Sequence, residues 1–192
     1  MPTPSPILQR LRHETSAQHE AVEANPFNEA LGAGTVTAAQ AAWFLGKLYG
    51  FMQPLEDQLA ALAPTLDPAW ELPARRRAHL IPADLADLLG PEAATTLPRS
   101  PQLPPLATPA QALGVLYVLE GSTLGGQVIA RQLEKVSLGA ARRYFTAYGA
   151  LTGSRWQTTC RLLTEAATPE NENEIVASAQ RTFADLGAWL QA

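Results

Sequence analysis

Apolar residues recur at intervals of three and four positions along most of the chain, and the alternation typical of strands is nearly absent. Thr37 followed by Gln40 matches a capping box. Thr108-Pro109 and Thr168-Pro169 each place a threonine cap before a proline at the first helical position. This spacing predicts an all-α protein, a single-domain bundle of six to eight helices.

Prolines and glycines interrupt the helical pattern and set the expected helix bounds. Pro54 predicts a kink in the second helix, and Pro64 predicts its end. Gly90 is expected to close a short helix, and the proline-rich stretch 98–109 to form an irregular connection. Residues 1–6 are expected to be a flexible N-terminus. The predicted helices span about 7–24, 37–63, 82–89, 109–136, 154–166 and 169–191.

Composition narrows the class of protein. The 192 residues, 46% apolar and 17% charged, suit one globular domain spanning 1–192. The net charge of −4 argues against a nucleic-acid partner. A single cysteine excludes an internal disulfide and suits a reducing compartment. The N-terminus does not resemble a signal peptide, and no apolar run approaches the length of a membrane span. We therefore expect a cytoplasmic protein that does not enter membranes.

His19 lies at the edge of the apolar face of the first predicted helix. At 100° per residue, Leu8, Leu11, Thr15 and Val22 fall within about 60° of one another, and His19 lies about 20° beyond them. Two interpretations stay open. The imidazole is either a half-buried histidine with a backbone hydrogen bond, or it reaches a ligand in a crevice beside the helix.

A lone histidine limits which ligand is possible. No clustered histidine, cysteine or carboxylate completes a zinc site with His19. His13 lies about 120° away around the helix, and His79 follows three arginines, so both are expected at the surface. One histidine is typical of an axial haem ligand. Arg12 lies roughly 10 Å before His19 on nearly the same side, about the distance from a porphyrin centre to its carboxylates. It either pairs with such a carboxylate or lies in solvent.

Three glycines interrupt an otherwise strong helical pattern. Gly121, Gly125 and Gly126 each cost a helix interior about 1 kcal/mol relative to alanine, so three within six residues need a reason. One reason is close packing on another helix, because Gly121 and Gly125 can share a face. The other is a kinked helix whose bare backbone approaches a planar ligand.

The remaining polar motifs indicate little chemistry. Arg75–Arg77 and Arg142–Arg143 are expected to be solvated faces, with a docking patch for an acidic electron-transfer partner as the alternative. Ser122 lies in neither a phosphate-binding loop nor a nucleophile elbow. Cys160 shares a helix face with apolar residues and is expected in the core.

The segments around His19 and the glycines together resemble the haem oxygenase family. Thr15-x3-His19-x3-Glu23 is similar to the family's proximal helix, and the run from Leu119 to Gln127 is similar to its distal, glycine-kinked helix. The likeness continues over 168–183 and is poor over 65–109. Within the family, the chain most resembles the bacterial branch that supplies biliverdin to bacteriophytochromes.

This resemblance implies haem bound between the first helix and the glycine-kinked helix. His19 would be the axial ligand of the iron, and Gly121, Gly125 and Gly126 would lie over the opposite, distal face. Further positions resemble family residues near the haem propionates or in the pocket wall. These are Arg12, Tyr117, Arg155 and Phe183.

The chain departs from the family at one distal position. Ser122 stands where many members carry an aspartate that organises water beside the iron. A hydroxyl can hold a water but carries no charge. Glu120 lies about 200° away on a regular helix and is not expected to substitute.

The resemblance implies an enzyme, a monooxygenase-type oxidoreductase that opens haem at a meso carbon. Its products would be biliverdin, ferrous iron and carbon monoxide, and it would use O2 and external electrons. The implied partners are a ferredoxin- or reductase-type electron donor and a bacteriophytochrome that receives the product. Two alternatives stay open: a carrier or sensor that binds haem without degrading it, and a thiaminase-like hydrolase of similar fold, for which Cys160 is the candidate nucleophile.

Overall fold

The computed structural model describes residues 5–192, and the regular elements of that range are all helical. Short 3-10 turns connect several of them. Helices α1 and α2 are separated only by Thr15, and counted as one interrupted helix they bring the total in the described range to eight, as the sequence predicts. The helices are α1 (Pro6–Glu14), α2 (Ser16–Glu23), α3 (Pro26–Gly32), α4 (Ala38–Leu62), α5 (Leu72–Arg75), α6 (Ile81–Leu89), α7 (Pro109–Lys135), α8 (Thr152–Ala166) and α9 (Glu172–Gln191).

The N-terminal region differs from its prediction in two ways. Residues 1–4 of the expected flexible N-terminus lie outside the described residues, and Pro6 already begins α1. The single helix expected over 7–24 is interrupted at Thr15, whose backbone has φ −106° and ψ 0°. The Thr15 hydroxyl donates a 2.6 Å hydrogen bond to the carbonyl of Leu11, the local bond by which threonine competes with helical pairing.

Helix α4 begins at the predicted capping box and runs through Pro54 without a break. The Thr37 hydroxyl accepts a hydrogen bond from the Gln40 backbone, and the Gln40 side chain accepts one from the Thr37 backbone. Pro54 has no N–H for the carbonyl of Gly50, and the backbone N–H of Ser100 donates to that carbonyl instead, at 3.1 Å. This hydrogen bond from Ser100, which replaces the missing helical one, attaches the proline-rich connection to α4.

Helix α7 is the centre of the bundle. As predicted, its Thr108 cap accepts a hydrogen bond from the backbone N–H of Gln111. Helix α9 packs along α7. Among the described residues, α7 is the one helix long and apolar enough to cross a membrane, which the sequence analysis did not anticipate. However, 56% of its most apolar 18-residue stretch is buried inside the protein, as in the core helix of a globular bundle.

The start of α9 was predicted wrongly. The helix begins at Glu172 rather than at Pro169. The side chain of Asn171 accepts a hydrogen bond from the Thr168 N–H at 2.8 Å, and the Thr168 carbonyl accepts from the backbone of Asn171 and of Glu172. Residues 168–171 therefore form a turn that precedes the helix.

Gly114 marks the closest approach of α7 to α9. A Cβ at this position would lie 2.4 Å from the carbonyl oxygen of Ile175 and 2.6 Å from the Cβ of Ser178. We expect Gly114→Ala to lower the free energy of unfolding by about 1–3 kcal/mol, because the two backbones must move apart. Urea denaturation would measure it. Gly153→Ala is the control, since a Cβ there meets nothing within 4 Å. Equal stability of the two variants would contradict this packing.

Candidate functional site

A large cavity opens between the N-terminal helices and the centre of the bundle. Its volume is about 630 Å³, within the usual range for small-molecule and cofactor sites. Helices α1, α2, α4, α7 and α9 contribute walls, and most of the lining is apolar. The apolar residues of the lining include Leu48, Met52, Val118 and Ile129.

The cavity brings together most of the residues singled out from the sequence. Both segments that carry the family resemblance line it, although about a hundred residues separate them in the chain. The predicted residues that line the cavity are Arg12, His19, Tyr117, Gly121, Ser122, Gly125, Gly126 and Phe183.

His19 lies on the α2 wall with an accessible imidazole, its side chain 53% exposed. Its Nδ1 lies 3.7 Å from a carboxylate oxygen of Glu23, one turn later. The ring also makes an edge-to-face contact with Phe183 of α9, with centroids 5.5 Å apart. The imidazole thus has a carboxylate on its Nδ1 side and an aromatic ring at its edge, surroundings that are common for a histidine that binds a metal. Among the described residues that line the cavity, His19 is the one histidine.

The backbone of α7 is bare where it faces the cavity. Viewed down the helix axis at 100° per residue, the α7 residues that line the cavity cover an arc of about 200°. Leu124 and Gly126 lie at the two edges of this arc, and Gly125 lies near its centre. A Cβ at Gly125 would meet nothing within 4 Å, and one at Gly121 would touch only the Trp156 ring at 3.5 Å. The helix remains continuous through all three glycines. The space beside Gly125, at the centre of the α7 face that lines the cavity, is therefore not filled by a side chain.

Gly126 serves packing as well. Its Cβ would lie 3.1 Å from the Phe145 carbonyl oxygen, because the 144–145 segment crosses α7 there. Of the two interpretations of the glycines, close packing applies to Gly126 and the open backbone face to Gly125.

Arg155 lies away from the position that the resemblance implied. It is absent from the described residues that line the cavity. Its guanidinium donates to the carbonyl of Ala74 at 2.7 Å and lies over the ring of Tyr148, 4.4 Å from the ring centroid. Arg155 therefore holds the α5 segment, and this position does not support a contact with haem propionates.

The prediction of a solvated face at Arg75–Arg77 was wrong for two of the three arginines. Arg75 and Arg77 are 6% and 4% exposed, and only Arg76 reaches the surface, where it pairs with Asp57. The segment after α5 has no helical period that would show which side chains point inward. An acidic docking partner at this run is therefore not supported.

Arg75 belongs to a buried polar network that crosses the bundle. Its guanidinium pairs with Glu120 of α7 and donates to Thr159 of α8 at 3.0 Å. The hydroxyl of Tyr148 donates to Glu120 at 2.9 Å, and burial raises the pKa of that phenol well above its usual value. Glu120, which the sequence placed away from Ser122, is thus a structural anchor.

Arg77 is the functional candidate that the sequence analysis missed. Its guanidinium lines the cavity and donates to the carbonyl of Leu119 at 2.8 Å and to the Ser122 hydroxyl at 3.3 Å. Ser122 in turn donates its own hydrogen to Leu119 at 2.7 Å. The carboxylate of Glu56 accepts hydrogen bonds from the backbone N–H groups of Arg77 and Ala78, which fixes the segment.

Burial raises the pKa of two side chains that the sequence singled out, the Cys160 thiol and the Tyr117 phenol. Burial raises the pKa of the Cys160 thiol, which makes the thiolate scarce at neutral pH, and Cys160 is not among the described residues that line the cavity. A thiaminase-like use of Cys160 is therefore unsupported. Burial likewise raises the pKa of the Tyr117 phenol, so its hydroxyl is a neutral donor at the cavity wall.

Comparison with known proteins identifies the family. The family model described as Heme oxygenase matches residues 5–192, and the chain therefore belongs to the haem oxygenase family. A relative named Heme oxygenase from Xanthomonas campestris pv. campestris (strain 8004) is 37% identical over 114 residues. That match covers 59% of this chain and 64% of the relative, less than two thirds of its length.

Two solved structures share the fold over nearly the whole chain. The heme oxygenase from Leptospira interrogans has a TM-score of 0.74 at 17% identity, covering 97% of this chain and 98% of that one. Heme oxygenase-1 from the cyanobacterium Synechocystis sp. PCC6803, solved in complex with heme, has a TM-score of 0.75 at 15% identity, covering 97% and 91%. These similarities confirm the predicted haem-oxygenase-like fold.

The buried ion pair between Arg75 and Glu120 gives a test of how the site is held. We expect Glu120→Ala to lower the free energy of unfolding by about 3–5 kcal/mol, because it leaves Arg75 buried without a counter-charge. The double variant Arg75→Met/Glu120→Leu should lose less than the sum of its single variants. Chemical denaturation would measure all of them. Arg161→Met, which breaks an exposed pair with Glu165, is the control and should cost less than about 1 kcal/mol. Strict additivity would refute the coupling.

Proposed function

We propose that this protein binds haem in the cavity between α2 and α7 and opens the ring to biliverdin, ferrous iron and carbon monoxide. The reaction would use O2 and electrons from outside the chain. One observation carries the proposal: an oriented imidazole and a bare glycine backbone line two walls of one apolar cavity, in a chain that belongs to the haem oxygenase family. The heme complex of the Synechocystis structure supports the choice of ligand.

The residues of the cavity fit haem in shape and in donor chemistry. Haem is flat and largely apolar, and its two carboxylates need a cation or solvent at one edge. The cavity offers an apolar interior, one imidazole, and exposed Arg12 on the same side as His19. Among the described residues, no group of three or more histidines, cysteines or carboxylates is arranged to hold a metal ion by itself. A single nitrogen ligand matches an iron that a porphyrin already holds by four nitrogens.

The polar residues singled out at the cavity have separate roles in the proposal. His19 would bind the iron through Nε2, with Glu23 keeping the ring oriented. Arg12 would pair with a propionate, and Tyr117 would donate a hydrogen bond at the cavity wall. Bound haem supplies the site that takes up oxygen and is also the substrate that is consumed. The protein contributes orientation and exclusion of water.

Glycine at position 125 would let the α7 backbone lie against the open face of the ring. Because the α7 face has no side chain at Gly125, it would leave space for a small ligand beside the iron. Gly121 and Gly126 extend this wall, and Phe183 closes the side next to His19. The shape of the wall would direct the reaction toward one meso carbon.

Ser122 would hold a water in this space as an acceptor. Its hydroxyl hydrogen is directed to the Leu119 carbonyl, so the free lone pair of its oxygen is what remains for a water. A water in that position can deliver protons to the reacting ligand. The same arrangement is compatible with the alternative, a haem carrier or sensor that never degrades haem, and only turnover separates the two.

The proposal also names partners and location. Electrons would come from a ferredoxin- or reductase-type donor, because one cysteine is too few for an iron–sulfur cluster and no flavin motif is visible. The product would pass to a bacteriophytochrome, as in the bacterial branch that the sequence resembles. We place the protein in the cytoplasm, where a free thiol stays reduced.

Substitution of His19 tests the proposed function directly. We expect wild-type protein with haem, a reductant and O2 to lose the haem Soret band and gain biliverdin absorption. His19→Ala should lose the histidine-type ferrous spectrum and at least about 90% of this turnover, because the iron loses its protein ligand. His79→Ala, at an exposed histidine outside the cavity, is the matched control.

The outcomes separate the alternatives. Haem binding through His19 without any biliverdin would establish the carrier or sensor. An unchanged spectrum in the His19→Ala variant would show that another residue holds the iron.

Gly125 offers a second test in which stability and binding move in opposite directions. We expect Gly125→Ala to raise the free energy of unfolding of the haem-free protein by about 0.5–1 kcal/mol, because alanine favours the helix and its Cβ meets no neighbour. The same methyl group should weaken haem binding at least fivefold. Thermal melts and haem titration would measure both effects. Stronger or equal haem binding would contradict the proposed contact between backbone and ring.

A further inference from the structure

Arg77 is a buried cation without a carboxylate partner. The residue is 4% exposed, and none of the ion pairs found among residues 5–192 includes it. Arg75 is the contrasting case two residues earlier, since it faces Glu120 directly. Enclosed arginines are normally paired, because an uncompensated charge in the interior is costly. An arginine that is buried without a carboxylate partner therefore indicates that another group balances its charge.

The Arg77 guanidinium is fixed in place by neutral groups. One terminal nitrogen donates to the Leu119 carbonyl and to the Ser122 hydroxyl. The rings of Tyr144 and Tyr148 lie 5.0 Å and 5.5 Å from its central carbon. Aromatic faces stabilise a cation without neutralising it.

The Nε–H of Arg77 has no hydrogen-bond partner although it is buried. Arg77 is nonetheless one of the residues that line the cavity, together with Ser122 and Tyr144. A donor left unsatisfied inside a protein costs free energy unless a ligand or water completes it. The charge without a carboxylate partner, its place in the cavity lining and the adjoining Ser122 hydroxyl together point toward a negatively charged ligand.

We propose that Arg77 and Ser122 form an anion-binding subsite on the α7 side of the cavity, where they position small, negatively charged ligands beside the haem. The inference rests on the proposed function, because it assumes that haem occupies the cavity. In many family members an aspartate of the distal helix occupies this region. Here we assign that region to Arg77, a cation that comes from the segment after α5. Arg77 is a positioning residue in this scheme and acts through the field and hydrogen bonds that it supplies.

The surrounding charges leave this field positive. Burial lowers the pKa of the Arg77 guanidinium, but Tyr144, Tyr148, Glu120 and Glu56 raise it, and the net direction is upward, so the group stays charged. Glu120 is neutralised by Arg75. Glu56 accepts backbone hydrogen bonds from the Arg77 segment and lies 3.8 Å from Arg76. In a low-dielectric cavity, such a charge attracts anions more strongly than it would in water.

Ligand titrations of the ferric haem complex test the subsite. Azide is the anionic probe and imidazole the neutral one, and both are followed by the shift of the Soret band. We expect Arg77→Met to weaken azide binding at least tenfold and to change imidazole binding less than threefold. Ser122→Ala should weaken azide binding two- to fivefold, because it removes an oxygen that holds the guanidinium. Arg77→Lys should fall between wild type and Arg77→Met, since it keeps the charge and loses the planar fork.

Arg76→Met is the matched control. Arg76 belongs to the same segment, but its guanidinium pairs with Asp57 at the surface, so both affinities should stay unchanged. Circular dichroism melts identify variants that fold poorly, and if Arg77→Met is one of them, Arg77→Lys and Ser122→Ala decide the outcome.

The results separate this inference from the proposed function. Equal weakening of azide and imidazole would mean a purely structural role for Arg77 and would overturn the subsite. Unchanged azide binding in a complex that still forms biliverdin would overturn the subsite and leave the proposed function intact. A wild-type protein that forms no histidine-ligated haem complex would overturn both.

Discussion

The ion pair between Arg75 and Glu120 fixes the irregular segment after α5 against the central helix, and the candidate site depends on that attachment. Glu120 lies on α7 one residue before the first glycine of the cavity wall. When Arg75 is bound there, Arg77 lies beside Leu119 and Ser122, which flank Glu120 on the same helix. A single buried pair therefore positions both a structural network and a cation at the cavity.

The cavity has two kinds of wall, and the difference follows from how helices present atoms. On the α2 side a side chain projects, since His19 reaches outward and is oriented by Glu23 and Phe183. On the α7 side, glycine removes the side chain, so the helix offers only its backbone at Gly125. A flat ligand between them would be held by one directional bond and by close contact over an area.

Part of this site was predictable because it lies in local patterns. The capping box at Thr37 and the cap at Thr108 define helix starts through contacts within four residues. The glycine cluster signalled an unusual helix face, although the sequence left packing and ligand contact unresolved. The structure shows close packing at Gly126 and an open backbone face at Gly125. The start of α9 was misplaced because Thr168-Pro169 looks like a cap, while the side chain of Asn171 forms a turn there instead.

The sequence by itself determined the helical architecture and the two segments that carry the family resemblance, because helical periodicity and capping are written in residues a few positions apart. Only the tertiary structure decided which arginines serve the site. Arg12 lines the cavity and Arg155 does not, and Arg77 does so although it looked like part of a solvated run. Burial of a side chain in an irregular segment depends on contacts forty or more residues away, with Glu120, Leu119 and Ser122. No local period records such contacts.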